Sequence, residues 1–221
     1  MKQAVIFDLD GTLADTIDDI AAAVNRALAR RGLPEHDREL YKLMVGNGFR
    51  QLIVRALPES LRSNEAYLEA TRAEAAADYA GRCLERTRAY PGVRELLSAL
   101  TSKGLDLAVL SNKPDELTRK CVAGLFPSIH FAIVRGETEA FPRKPDPASA
   151  LDACSRMGAT PAGVSPAEVL YLGDTGVDMQ TAKAAGFTAL GALWGFRSEE
   201  ELRESGADAL LASPLDLLKY L

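Results

Sequence analysis

From Tyr90 onward, short apolar runs alternate with helical patterns, and this rhythm restricts the fold more than any other feature of the chain. The runs are Asp106–Leu110, Phe131–Val134, Glu168–Leu172 and Thr188–Leu193, with a short one at Ala209–Leu211. Between them, apolar residues recur at helical spacing, as in Val93, Leu96, Leu97 and Leu100 before Lys103-Gly104. Further helices are expected from near Pro114, after Pro147, from about Asp178 to Gly186, and from Pro214. Strands separated by helices predict a parallel sheet covered on both faces. Ala4–Phe7 adds a strand of the same buried kind, since it is apolar without alternation and leads to a turn glycine, Gly11.

One block breaks the rhythm. After Asp15, Thr16 and Asp19 have the spacing of a capping box, and Ile17, Ile20, Val24, Ala27 and Leu28 repeat at helical spacing until Gly32 and Pro34. From Asp37 to Arg88 only helix signals occur: two short segments flank Gly46-Asn47-Gly48, and a long one runs from Asn64 to about Arg86. The expected fold is therefore an α/β, Rossmann-like parallel-sheet core (residues 1–15 and 88–221) with an inserted all-helical cap (residues 16–87). The connections near Asp15-Thr16 and Arg86–Ala89 are the expected hinges.

Bulk properties narrow the function. With 221 residues the chain can bury a full core, and its net charge of -5 argues against a general nucleic-acid surface. No apolar run approaches membrane-spanning length, so a cytoplasmic protein is expected. Cys83, Cys121 and Cys154 form no C-x-x-C pair and read as small buried hydrophobes of a reducing compartment. His36 and His130 are isolated, and no P-loop or G-x-S-x-G string occurs.

The chemistry-bearing residues cluster at strand ends. Asp8 and Asp10 follow the first strand, where two carboxylates are costly unless a cation or a reaction uses them. Ser111 follows the next strand, Asp174 and Asp178 follow Leu172, and Lys144 lies in the proline-framed Pro142-Arg143-Lys144-Pro145. Acids, a hydroxyl and a lysine are the parts for phosphoryl transfer on a hard divalent cation, for which Mg²⁺ is suited. A carboxylate such as Asp8 can be a nucleophile, forming an aspartyl phosphate, and a second acid, Asp10, can protonate the leaving oxygen and then take a proton from water. Ser111 and Lys144 would orient and offset the phosphoryl oxygens.

In order and spacing, Asp8-Leu-Asp10-Gly-Thr12, Ser111-Asn112, Lys144-Pro145 and Gly173-Asp174-Thr-Gly-Val-Asp178 resemble the four motifs of the haloacid dehalogenase superfamily, across the whole chain. The resemblance implies that Asp8 is both nucleophile and Mg²⁺ ligand and that Asp10 ligates through its carbonyl. It makes Asp174 the other protein ligand, with Asp178 supporting the metal or Lys144. It puts Thr12, Ser111, Asn112 and Lys144 at phosphate-site positions. Dehalogenases of this fold lack an acid at the position of Asp10, because a halide needs no proton; its presence favours phosphate chemistry.

Val45-Gly46-Asn47-Gly48, Ser111-Asn112-Lys113-Pro114 and Trp194-Gly195-Phe196 resemble segments of phosphoglycolate phosphatases, which hydrolyse the small anion 2-phosphoglycolate. The amides of Gly46, Asn47 and Gly48, with Arg50 or Arg197, are the expected partners of its carboxylate. The triplet also reads as an ordinary helix–helix turn, and the two arginines as surface charges. The expected partner is a small phosphorylated metabolite, with no nucleic acid or membrane, for a monomer or homodimer. Alternatives are a sugar phosphomutase of the beta-phosphoglucomutase kind, a phosphatase of nucleotides or other small phosphates, and a metal-binding regulatory module. Phosphonate hydrolysis would need a cap lysine for a Schiff base, and Lys42 is the only lysine between Thr16 and Arg88.

Overall fold

The computed structural model describes residues 1–158 and 163–221. The chain enters through β1 (Ala4–Phe7), turns at Asp8–Leu13 into β2 (Ala14–Asp15), and then leaves the sheet. The helical insert follows as α1 (Ile17–Ala29), α2 (Arg38–Met44), α3 (Phe49–Ala56) and α4 (Glu65–Arg82), with one 3₁₀ turn at Glu59–Leu61. It returns through β3 (Arg88–Ala89) and then alternates: α5 (Val93–Ser102), β4 (Asp106–Pro114), α6 (Asp115–Leu125), β5 (Ile133–Glu137), α7 (Ala148–Arg156), β6 (Val169–Gly173), α8 (Gly176–Ala184), β7 (Thr188–Ala192), α9 (Glu199–Glu204) and β8 (Ala209–Leu211). The C-terminal helix from Pro214 is 3₁₀ and runs to Tyr220.

Six strands pair in parallel in the order β5-β4-β1-β6-β7-β8. From β1 the chain builds outward through β4 and β5, then crosses back and builds the other way through β6, β7 and β8. The order reverses at β1, and its carboxyl end opens into the crevice where such sheets bind ligands. Period-two alternation splits each strand between two cores. Val5, Phe7, Val109 and Leu172 face the side of α5 and α6, while Ile6, Ala108, Tyr171 and Ala189 face α7, α8 and α9. Both faces are buried, which is why these strands read as continuous apolar runs.

Several local expectations change. The strand expected at 131–134 is present but shifted: Phe131 packs edge-on against Phe126, and the register with β4 takes in Ile133 and Val134 and runs on through Arg135 to Glu137. As an edge strand, β5 tolerates those polar residues, so apolarity misplaces its bounds. β4 runs on to Pro114, and α8 starts at Gly176 because Thr175 and Asp178 form its capping box.

The expected capping box of Thr16 and Asp19 is not formed. The Thr16 hydroxyl donates to Asp10 at 2.7 Å, and the Asp19 carboxylate accepts from the Arg86 and Thr87 amides and from the Thr87 hydroxyl. Both side chains are spent on holding the ends of the helical insert rather than on α1. Those amides leave the helix for Asp19, so α4 stops at Arg82 instead of continuing to Arg86. The two connections, expected as hinges, also pair as a two-residue antiparallel ribbon, Ala14 with Ala89 and Asp15 with Arg88, a pairing the sequence did not announce.

Candidate active site

The carboxyl ends of β1, β4 and β6 and the Lys144 loop converge on one cavity of about 40 Å³, with the insert packed over it. Asp8 is the first residue past β1, its amide donating to the Leu172 carbonyl, so the sheet ladder itself aims the turn. Gly11 follows with φ of 87°, and a Cβ there would stand 2.1 Å from the Asp174 carboxylate. Only glycine permits both the turn and that approach.

Asp8, Asp174 and Asp178 are buried and each offers an oxygen within 4.8 Å of the others. The Lys144 ammonium lies 2.9 Å from Asp8 and donates to Asp178 at 2.7 Å and to the Leu110 carbonyl at 3.0 Å. Three carboxylates thus face one ammonium, and Asp8 Oδ1, though buried, has no aligned hydrogen-bond donor. Burial pushes the Asp8 carboxyl up to about 7, aided by Asp178 and Asp10 and opposed by Lys144. Burial likewise raises Asp174 well above the ordinary range, with Asp8 and Asp178 adding to it. An excess of buried negative charge over one ammonium and an all-oxygen donor set fit a hard divalent cation.

The remaining expected residues divide into those that border the cavity and those that brace it. Ser111 lines it, with its Oγ accepting from the Lys113 amide. Thr12 is fully buried and donates to Asp174 at 2.8 Å, so its hydroxyl orients that acid. The other Asp174 oxygen accepts from the Phe196 amide. Asn112 clamps the lysine loop: Oδ1 accepts from the Lys144 amide, and Nδ2 donates to the carbonyls of Lys144 and Gly46. Asp178 also accepts from the Thr175 amide and hydroxyl, which ties it to the first turn of α8.

The wall from the insert differs from expectation. Gly46 and Gly48 border the cavity, but Asn47 faces outward, accepting from Arg55 through Oδ1 and from Arg143 through its carbonyl. Arg50 is exposed and paired with Glu65 and Glu69. Arg197 donates to the carbonyls of Lys42, Leu43 and Val45, the unpaired end of α2. Neither arginine lines the cavity. The carbonyls at the end of a helix are a stronger attraction for a nearby guanidinium than the expected ligand position. What the insert does present is apolar: Ile20, Val45, Phe49, Leu52 and the ring of Tyr79.

Lys113 has no role in the sequence reading, yet it is buried and its ammonium is 2.5 Å from Asp10 and 4.9 Å from the Tyr79 ring centroid. Asp10 therefore has a separate cation from Asp8. Burial opposes the Lys113 charge, but Asp10 outweighs it and holds the ammonium above its ordinary range. The signal was present: a strand continuing past Leu110 puts residues 111 and 113 on one face.

A parallel α/β sheet with acids and a lysine at its switch point defines a hydrolase-type site of the phosphoryl-transfer kind. Residues 5–192 match the family model of haloacid dehalogenase-like hydrolases, and the chain belongs to that family. It is similar to the phosphoglycolate phosphatase of Aquifex aeolicus, 34% identical over 99% of this chain and 96% of that one. The phosphoglycolate phosphatase of Yersinia pestis is 32% identical over 98% and 91%. Among solved structures, a candidate phosphoglycolate phosphatase from Lactobacillus delbrueckii subsp. bulgaricus superposes with a TM-score of 0.90 at 29% identity, covering 100% of this chain and 98% of that one.

Proposed function

We propose that the chain is a Mg²⁺-dependent phosphatase that hydrolyses a small phosphomonoester, foremost 2-phosphoglycolate, through an aspartyl phosphate on Asp8. The observation that carries the reading is the separation of the two acids. Asp8 and Asp10 border one cavity, but Asp8 is paired with Lys144 and Asp10 with Lys113 and Thr16. Two carboxylates with different partners are suited to two roles.

Asp8 attacks phosphorus as the ester bond breaks, and Asp10 delivers a proton to the departing oxygen. Asp10 then takes a proton from the water that attacks the acyl phosphate, freeing phosphate and restoring Asp8. Lys144 holds Asp8 in line and offsets charge on the phosphoryl oxygens, with Ser111 bordering the same space. Asp8 and Asp174 with the Asp10 carbonyl would hold Mg²⁺, and Asp178 would steady both the metal and Lys144. The bound ion supplies further neutralisation of the phosphoryl charge. Residues 16–87 act as a cap, hinged at the β2–β3 ribbon, that excludes water while the phosphoenzyme forms.

The full-length relatives named phosphoglycolate phosphatase support the choice among small substrates. Phosphate release from 2-phosphoglycolate, hexose phosphates and nucleotides, with Mg²⁺ or EDTA, is the test. Preference for 2-phosphoglycolate with loss in EDTA is expected; turnover no better than that of generic phosphomonoesters sinks the substrate assignment.

A further inference from the structure

An anionic leaving group needs a charged donor inside the cavity; Gly46 and Gly48 border it, but the two arginines expected to supply that charge are elsewhere. Arg50 and Arg197 are committed to Glu65 and Glu69 and to carbonyls of α2. Lys144 borders the cavity, but its three N–H groups already face Asp8, Asp178 and the Leu110 carbonyl. Thr175 spends its hydroxyl on Asp178.

Apart from Ser111, whose hydroxyl borders the phosphoryl space, two donors on the cavity wall remain under-used among the described residues. The Lys113 ammonium has three protons and one carboxylate partner, Asp10. The Tyr79 hydroxyl is buried, with the residue 1% exposed, and has no aligned hydrogen-bond partner, its nearest charged neighbour being the Lys113 ammonium. A buried hydroxyl without a partner costs on the order of 1–3 kcal/mol, so its persistence against a cavity wall points to a ligand. The two groups are neighbours: Lys113 sits over the Tyr79 ring, and that ring is fixed by stacking on Phe49 at 6.3 Å. One comes from the end of β4 and the other from α4, so they meet only when the insert covers the core.

We infer that Lys113, together with the Tyr79 hydroxyl, receives the carboxylate of the substrate's leaving group and so selects a small anionic alcohol over a neutral one. The inference rests on the 2-phosphoglycolate reading above. Its geometry follows from the position of Asp10. In that substrate a single methylene separates the ester oxygen, which Asp10 protonates, from the carboxylate. A cation already 2.5 Å from Asp10 is within reach of the carboxylate when Asp10 is at the ester oxygen. The apolar remainder of the wall, Val45, Phe49 and Leu52, then strengthens the ion pair by excluding water.

The test compares 2-phosphoglycolate with propyl phosphate, a neutral analogue of similar length, in the wild type, Lys113→Met, Lys113→Arg and Tyr79→Phe. Wild-type kcat/KM is expected to favour 2-phosphoglycolate. Lys113→Met lowers kcat on both substrates through Asp10, and in addition shrinks the preference by roughly tenfold or more, chiefly in KM. Lys113→Arg restores part of the preference. Tyr79→Phe removes only an unpartnered hydroxyl, so it folds readily, and it shrinks the preference several-fold. A preference retained in both Lys113→Met and Tyr79→Phe overturns this assignment while leaving the phosphoglycolate reading intact. A wild type without preference overturns both.

Discussion

The core wall of the cavity carries aspartates and lysines at strand ends, each paired with an opposite charge or a hydroxyl, whereas the opposing wall is Ile20, Val45, Phe49 and Leu52 with one tyrosine hydroxyl. The core wall is held by hydrogen bonds that reach deep into the sheet, such as Thr12 to Asp174 and Asn112 to the Lys144 main chain. The insert is held to the core differently. Asn112, Arg143 and Arg197 all reach across to its backbone carbonyls, at Gly46, Asn47 and the end of α2. The difference separates the two walls: charged side chains braced by the sheet line the core side, and an apolar wall with one hydroxyl, docked through its backbone carbonyls, lines the other.

The sharpest way to break this contrast is in the core wall. Asp8→Asn is expected to lower turnover by on the order of 10³-fold or more, since Asp8 is the proposed site of the phosphoenzyme. Undiminished phosphate release from that variant removes the nucleophile assignment. Lys144→Met leaves three buried carboxylates without their cation. Removing one partner of a buried pair costs about 3–5 kcal/mol, so its melting temperature should drop markedly, and Mg²⁺ should recover part of the loss.

The same cluster makes stability depend on pH in a particular direction. The folded Asp8 carboxyl titrates near 7 and Asp174 is raised too, both above the unfolded carboxylate range. A raised acid stabilises the fold most at low pH and loses that contribution as pH climbs through its folded value. In EDTA, the contribution of this cluster should therefore decline between about pH 4 and pH 8. Added Mg²⁺ should raise the melting temperature more at pH 8 than at pH 5, because it binds the deprotonated acids. Thermal melts at both pH values, in the wild type and in Asp174→Asn, measure it; an equal Mg²⁺ effect at both pH values contradicts the charge excess described for the cluster.

On the insert, the contrast predicts tolerance. Arg50→Ala removes exposed ion pairs to Glu65 and Glu69 and should change stability by less than about 1 kcal/mol. Its KM for 2-phosphoglycolate should stay within about twofold. A large KM increase returns Arg50 to the substrate site and weakens the division between the two walls.

The core was legible because its signals are local and strong. A strand buried on both faces is apolar throughout, and Asp8, Lys144 and Asp174 announce themselves as charges at the mouths of such strands or in a proline-framed loop. Errors fell where a side chain had two possible partners. Thr16 and Asp19 carry the spacing of a capping box, but Asp10 and the Arg86 and Thr87 amides were better partners than the α1 amides. Arg197 looked available to a ligand and was taken by the end of α2. The polar end of β5 fell outside the expected strand, which stopped at Val134, because an edge strand has no need of apolarity on both faces.

By itself, then, the sequence determined the parallel sheet, the helical insert and the residues that carry charge, because hydrophobic period and turn chemistry act over a few neighbouring residues. Which charge meets which was decided only by the tertiary structure. Lys113 is 103 residues from Asp10, and Tyr79 comes from a helix on the other side of the cavity. The order reversal at β1 and the closure of the insert bring them within a few ångströms, and a pairing at that range depends on geometry that no local pattern encodes.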